Sequence, residues 1–116
     1  MLLTLLKSKL HGAVVTSLNP DYEGSITIDS QLMKAAGIIL HEKVLVANAV
    51  NGNRFETYAI PADEGSREIC LNGPATRLGS VGDRLIIFTF AHMPGEEAQK
   101  WHPTVVVLDP ENRPVL

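Results

Sequence analysis

Residues 43–60 read KVLVANAVNGNRFETYAI. Two short apolar-polar runs flank Asn51-Gly52, the dipeptide that most strongly marks a tight β-hairpin. In the second run, Arg54, Glu56 and Tyr58 fall on one strand face, and Phe55, Thr57 and Ala59 on the other, because side chains alternate along a strand. Similar runs recur outward from this pair. "TLLKSKLHGAVVTSL" and "SITID" precede it, and "REICL", "RLIIFTF" and "TVVVLD" follow, separated by Gly, Asn or Pro clusters. Seven or so short strands predict a mainly β chain that closes into a barrel, since closure removes exposed strand edges. Only two stretches predict helices, both short. "DSQLMKAAG" (29–37) carries a capping Asp or Ser and a closing Gly37, and "MPGEEAQKW" (93–101) has Pro94 and early acids suited to a helix start. The final "PENRPVL" reads as a loosely held tail.

The gross numbers bound the rest. A chain of 116 residues makes one domain, 1–116, and 45% hydrophobic with 20% charged residues indicates a folded core. A net charge of −3 gives no basic footprint, so no nucleic-acid partner is expected. Cys70, in "EICL", is the single cysteine; it forms no intrachain disulfide and reads as a buried, inert thiol. The apolar start "MLLTLLKSKLHG" is short and interrupted by Lys7 and Lys9. It predicts neither a membrane span nor a cleaved leader, so no membrane partner and a cytoplasmic location are expected. His11, His41, His92 and His102 lack ligand spacing and no CxxC occurs, which predicts no metal site. Phosphate-loop and GxSxG patterns are also missing.

Some residues carry chemical promise. Lys9 and His11 share one strand face, which suits a cationic pocket wall or an ordinary solvated face. Arg54 offers a planar fork for a carboxylate and Tyr58 a proton donor, though a plain amphipathic strand has the same pattern. Thr57 and Tyr58 point to opposite faces, and Arg54 and Tyr58 stand about 13 Å apart along the strand. One site for all three is hard to draw within a single strand, which hints that Thr57 serves a second location, such as a neighbouring subunit's site.

Eight fragments occur in order: "KLHG" (9–12), "YEGS" (22–25), "AAGI" (35–38), "NGNRFETYAI" (51–60), "GSR" (65–67), "NGPA" (72–75), "VGD" (81–83) and "MPGEEA" (93–98). Together they resemble the pyruvoyl-dependent aspartate 1-decarboxylase family, from about residue 4 to residue 104. The resemblance implies a double-psi β-barrel of six main strands and a homotetramer with active sites between subunits. It implies a proenzyme that cuts itself between Gly24 and Ser25, giving chains 1–24 and 25–116, with Ser25 converted to a pyruvoyl cofactor. It also implies decarboxylation of L-aspartate to β-alanine through a Schiff base, for pantothenate and coenzyme A synthesis. A maturation helper protein assists the cut in some relatives. By motif match, Tyr58 is the proton donor and Thr57 supports cleavage and touches substrate. Lys9 and Arg54 hold carboxylates, Asn72, Gly73, Pro74 and Ala75 form a substrate-contacting loop, and His11 and Tyr22 line the same region. Pro74 and Ala47 depart from relatives that carry Ala and a large aromatic there; Pro74 has no N–H to offer.

The residue types suit that chemistry. Self-cleavage starts when the Ser25 hydroxyl attacks the Gly24 carbonyl, and glycine lets the chain adopt strained or positive-φ geometry there. The oxyanion needs a fixed donor, for which Thr57 is matched. Two other classes remain compatible with the residues alone: a non-catalytic β-barrel module, and a self-processing hydrolase that exposes a free amine at residue 25.

Overall fold

The computed structural model describes residues 1–115. Eight strands form: β1 (Leu2–Val14), β2 (Ser17–Asn19), β3 (Ser25–Asp29), β4 (Lys43–Asn48), β5 (Arg54–Ala62), β6 (Ile69–Asn72), β7 (Arg84–Pro94) and β8 (Thr104–Val107). Helix α1 spans Ser30–Ala36, α2 spans Gly95–Ala98, and a 3-10 turn spans Gly73–Arg77. The expected mainly β chain with two short helices is what forms, with two strands more than the six main ones implied. β2 has only three residues, and β6 and β8 four each.

The strands lie in the order β2-β6-β3-β5-β4-β7-β1-β8. β1 and β2 are separated in sequence only by Val15 and Thr16, yet they stand near opposite ends of that order. A sheet whose two ends share one nearly continuous strand must roll on itself. Thr16 completes the seam: its N–H donates to the Ile69 carbonyl at 2.8 Å, and its Oγ1 accepts from Ile69 N at 3.0 Å. The inward side chains follow the period of two. Leu10, Ile26, Ile28, Val44, Val46, Ile69, Leu71, Leu85 and Ile87 are buried inside, and removing each such side chain from water is worth about 1.5–3 kcal/mol.

Asp29 caps α1, accepting from Gln31 N at 2.8 Å, and the same carboxylate accepts from Gly65 N and Arg67 N. Gly37, at φ 68°, ends the helix with its N–H on the Lys34 carbonyl. The β4–β5 hairpin exists, but its loop is Ala49–Asn53 and only Gly52 there has positive φ, at 79°. A two-residue Asn-Gly turn of type I′ needs positive φ at both residues, so Asn51-Gly52 marks the hairpin without being its whole turn. Asn48 organises the loop, accepting from Val50 N at 2.8 Å and donating through Nδ2 to Asp83 at 2.8 Å.

The tail departs from expectation. Asn112 is buried and its side chain bonds Val14 N, Val14 O and Arg67 O at 2.7–3.0 Å. Val115 N donates to the Val107 carbonyl at 2.8 Å. Residues 110–115 of the supposed loose tail are therefore tied across the barrel; the last residue, 116, lies outside the described residues.

The Asn48 amide and Ser80 N–H hold the Asp83 carboxyl below its ordinary value of 3.8. A carboxylate with a lowered folded pKa stabilises the fold above its unfolded value and loses that contribution as pH falls through the folded one. Asp83→Asn is expected to lower the thermal midpoint at neutral pH. It should also flatten the loss of stability between about pH 5 and about pH 2, measured by thermal melts across that range.

Candidate active site

Ser25 opens β3, with Asn72 of β6 as its cross-strand partner on one side. On the other side β3 runs parallel to β5, starting at Ile26 opposite Ala59, which brings Ser25 alongside Tyr58. β5 therefore gains a β3 neighbour only from Ala59 onward. Its first half, Arg54–Tyr58, pairs with β4 on one edge and with no strand on the other among the described residues. A pocket of about 430 Å³ occupies that free edge, lined by Gly24, Ser25, Phe55, Glu56, Thr57, Tyr58, Pro74, Ala75 and Leu78. A groove of about 520 Å³ elsewhere, by Thr4, Lys43, Phe90 and His92, contains none of the candidate residues.

The edge position answers the Thr57–Tyr58 difficulty. Side chains from opposite faces of a strand both border a cavity at its edge, so one pocket takes both residues and the second location expected for Thr57 is not needed.

Around Ser25 the hydrogen bonds are specific. Ser25 is fully buried. Asn72 Nδ2 donates to Ser25 Oγ and to Thr27 Oγ1, each at 2.8 Å, while Cys70 Sγ donates to Asn72 Oδ1 at 3.3 Å. The nearest acceptor for the Ser25 hydroxyl proton is the Glu23 carbonyl, at a long 3.4 Å. Asn72, expected to contact substrate with its loop, holds the serine in this chain.

Gly24 is not among the positive-φ glycines, so the positive φ expected as one option there is not what forms. The demanding glycine is Gly73, at φ 64°. A Cβ there would lie 2.6 Å from the Tyr22 carbonyl oxygen and 3.0 Å from Gly24 N, so only glycine lets the 3-10 turn press on the backbone before Ser25. Pro74 sits in the first turn of that 3-10 helix, where a missing N–H is harmless, and its ring packs toward Gly24. Tyr22 meets the region through its backbone, while its side chain is exposed.

The cations lie elsewhere in the chain. Lys9 and His11 face outward on β1, alternating with the buried Ser8 and Leu10. The Arg54 guanidinium extends over the Phe88 ring at 5.8 Å, and Phe88 is the cross-strand partner of Lys9. Arg54 and Lys9 thus converge on Phe88, on the side of β5 away from β3. His11 belongs to the same face, and its Nδ1 is buried without a partner among the described residues. One chain therefore brings together Gly24, Ser25, Thr57, Tyr58, Asn72, Gly73, Pro74 and Ala75, and keeps Lys9, His11 and Arg54 apart from them. Sequence reasoning missed His41, whose ring meets Tyr58 edge-on at 5.8 Å between centroids, and the Cys70 link to Asn72. The second was legible as a spacing of two along "CLN", which puts both side chains on one strand face.

The aspartate decarboxylase profile matches residues 1–115. The chain belongs to the aspartate decarboxylase family. It is 57% identical over 114 residues to the aspartate 1-decarboxylase of Chlorobium chlorochromatii, covering 98% of this chain and 88% of that one. The aspartate 1-decarboxylases of Phenylobacterium zucineum and Thermoanaerobacter pseudethanolicus are 53% and 51% identical. Those two matches cover 97% and 96% of this chain and 95% of each relative. Among the described residues no helix is long and apolar enough to cross a membrane, and no group of three His, Cys, Asp or Glu side chains could hold a metal.

Gly73→Ala is expected to displace the 22–24 backbone, because no side chain stands there to yield. Positive φ adds strain of about 1 kcal/mol. The variant should melt lower than the parent and show increased protease sensitivity at residues 20–24, read by limited proteolysis with mass detection.

Proposed function

We propose that this chain is the precursor of an aspartate 1-decarboxylase that cuts itself between Gly24 and Ser25 and then converts L-aspartate to β-alanine and CO₂. The observation that carries the reading is a buried Ser25 hydroxyl, held by Asn72 at 2.8 Å, in a pocket shared with Thr57 and Tyr58 and preceded by the exposed stretch Asp21–Gly24. An exposed stretch before a buried serine suits a cut, since breaking the peptide there removes no strand pairing of β1 or β2.

In the cut, Ser25 Oγ bonds to the Gly24 carbonyl carbon and the Gly24–Ser25 C–N bond breaks, with the hydroxyl proton passing to the new amine. Thr57 is the matched donor to the oxyanion. Loss of the residue 25 Cα proton then breaks the Cβ–Oγ bond and frees the Gly24 carboxylate. Water replaces the nitrogen at residue 25, releasing ammonia and leaving a ketone.

The residues present fit a pyruvoyl group at position 25. β3 stays paired on both sides just beyond it, the Asn72 amide lies close by, and the pocket opens beside it. Once formed, the pyruvoyl group supplies the electron sink that amino-acid decarboxylation requires. Tyr58 lines the pocket beside residue 25 and is the proton donor to the carbon that loses CO₂. Pro74 and Ala75 give an apolar wall that disfavours a charged carboxylate and favours its loss as neutral CO₂.

Lys9 and Arg54 hold the dianionic substrate by charge. Because they point away from the Ser25 of their own chain, the reading includes a homotetramer in which one copy's cations meet a neighbour's Ser25 pocket. His11 belongs to that cationic wall, and Tyr22, exposed beside the cut, borders the junction. β-Alanine formation for pantothenate, a cytoplasmic location and, for some family members, a helper protein in maturation complete the proposal.

Intact mass is expected to give two fragments split between Gly24 and residue 25, the larger blocked to N-terminal sequencing. Ser25→Ala should stay whole. Tyr58→Phe should cut normally yet lose turnover by about 100-fold or more. A parent chain that remains whole after warm incubation with bacterial lysate, and makes no β-alanine, rules the reading out. A shared site has its own test: Ser25→Ala and Arg54→Ala chains, each inactive alone, should regain turnover when co-expressed. Continued inactivity of the mixed assembly would place each site within one chain.

A further inference from the structure

Cys70 has no part in the reaction as described, and its thiol is nonetheless aimed at the group that holds Ser25. It is buried on β6, two residues before Asn72, and its Sγ lies 3.3 Å from Asn72 Oδ1, the nearer acceptor for its one proton, and 3.7 Å from the Leu71 carbonyl. Asn72 is buried as well, and its amide nitrogen serves both Ser25 Oγ and Thr27 Oγ1 at 2.8 Å.

An asparagine amide has two faces, one that accepts and one that donates. Two hydroxyls lie on the Ser25 side of Asn72, and either orientation of the amide would satisfy them, because a hydroxyl both donates and accepts. The two hydroxyls therefore do not choose between orientations. The thiol does: S–H is a donor and sulfur only a weak acceptor, so the amide oxygen turns toward Cys70 and the nitrogen toward Ser25.

The orientation matters to the cut. With nitrogen toward Ser25, an N–H points into Oγ, leaves the hydroxyl proton free to depart, and stabilises negative charge as it develops. With the amide reversed, Ser25 would donate its proton to an amide oxygen. That oxygen is not a base, and the nucleophile would stay protonated.

We infer that Cys70 is a positioning residue for self-cleavage, its thiol fixing the Asn72 amide in the orientation that activates the Ser25 hydroxyl. The inference rests on the proposed Gly24–Ser25 cut and assigns the cysteine no contact with substrate.

The test follows the cut rate of freshly purified precursor by intact mass. Cys70→Val keeps volume and removes the donor, Cys70→Ala removes the donor without crowding, and Cys70→Ser restores one. Val and Ala variants are expected to cut at least about fivefold more slowly, the scale of one lost hydrogen bond. The serine variant should cut within about twofold of the parent, with thermal midpoints that do not follow the same ranking. Parent-like cutting by both Val and Ala, or slow cutting by Ser matching that of Ala, overturns the inference and leaves the proposed cut intact. If Val does not fold, the Ala–Ser pair decides alone. A parent chain that never cuts overturns the proposed function and this inference with it.

Discussion

Strand β3 begins at Ser25, and that starting point shapes the site. Because β3 has a partner on each side, the residues after Ser25 are fixed by two ladders. Because it goes no further back, the first half of β5 is left with an open edge. The same boundary buries the serine, exposes the residues before it and creates the cavity into which Thr57 and Tyr58 project. A β3 two residues longer would fill that edge with backbone and abolish the pocket.

Much of this was legible in the sequence, and the reason is local. Period-two alternation in "KVLVAN" and "RFETYAI" reports which side chains face inward, and the core obeys it from Val44 to Ala59. Asp29 and Gly37 were readable as caps because capping depends on one or two residues. What was not legible depends on where separate segments stop or touch. The free edge of β5, which begins at Arg54, is set by the start of β3 at Ser25, far earlier in the chain. The demand for glycine falls at Gly73 and not Gly24, since it comes from contact between two distant backbones. The tail is anchored by Asn112 reaching Val14 and Arg67, contacts that leave no periodic trace.

The charges are distributed with the same logic. Arg54 leaves the hairpin on the outer face and spreads over Phe88 toward Lys9, where the aromatic surface keeps the guanidinium extended. The pocket beside Ser25, in contrast, has Pro74, Ala75, Phe55 and Leu78 in its wall. On the proposed reading, a cation-rich face and a largely apolar cavity in one small barrel would divide two tasks, attraction of a dianion and release of a neutral gas. The family relationship gives the division a purpose that neither half has alone.

The seam made by β1 and β2 has a further meaning. Leu2–Asn19 runs through the sheet as a stave with thirteen residues in β1 and three in β2. A chain severed after Gly24 would hold this stave by strand pairing and packing alone. As an uncut chain the barrel would form at a rate independent of concentration, because the stave is tethered. A severed form, once denatured, would have to bring two molecules together to rebuild the same sheet, and dilution would work against it. The nick would thus leave the shape of the barrel unchanged while making its formation a one-way event, completed before the cut and hard to repeat after it.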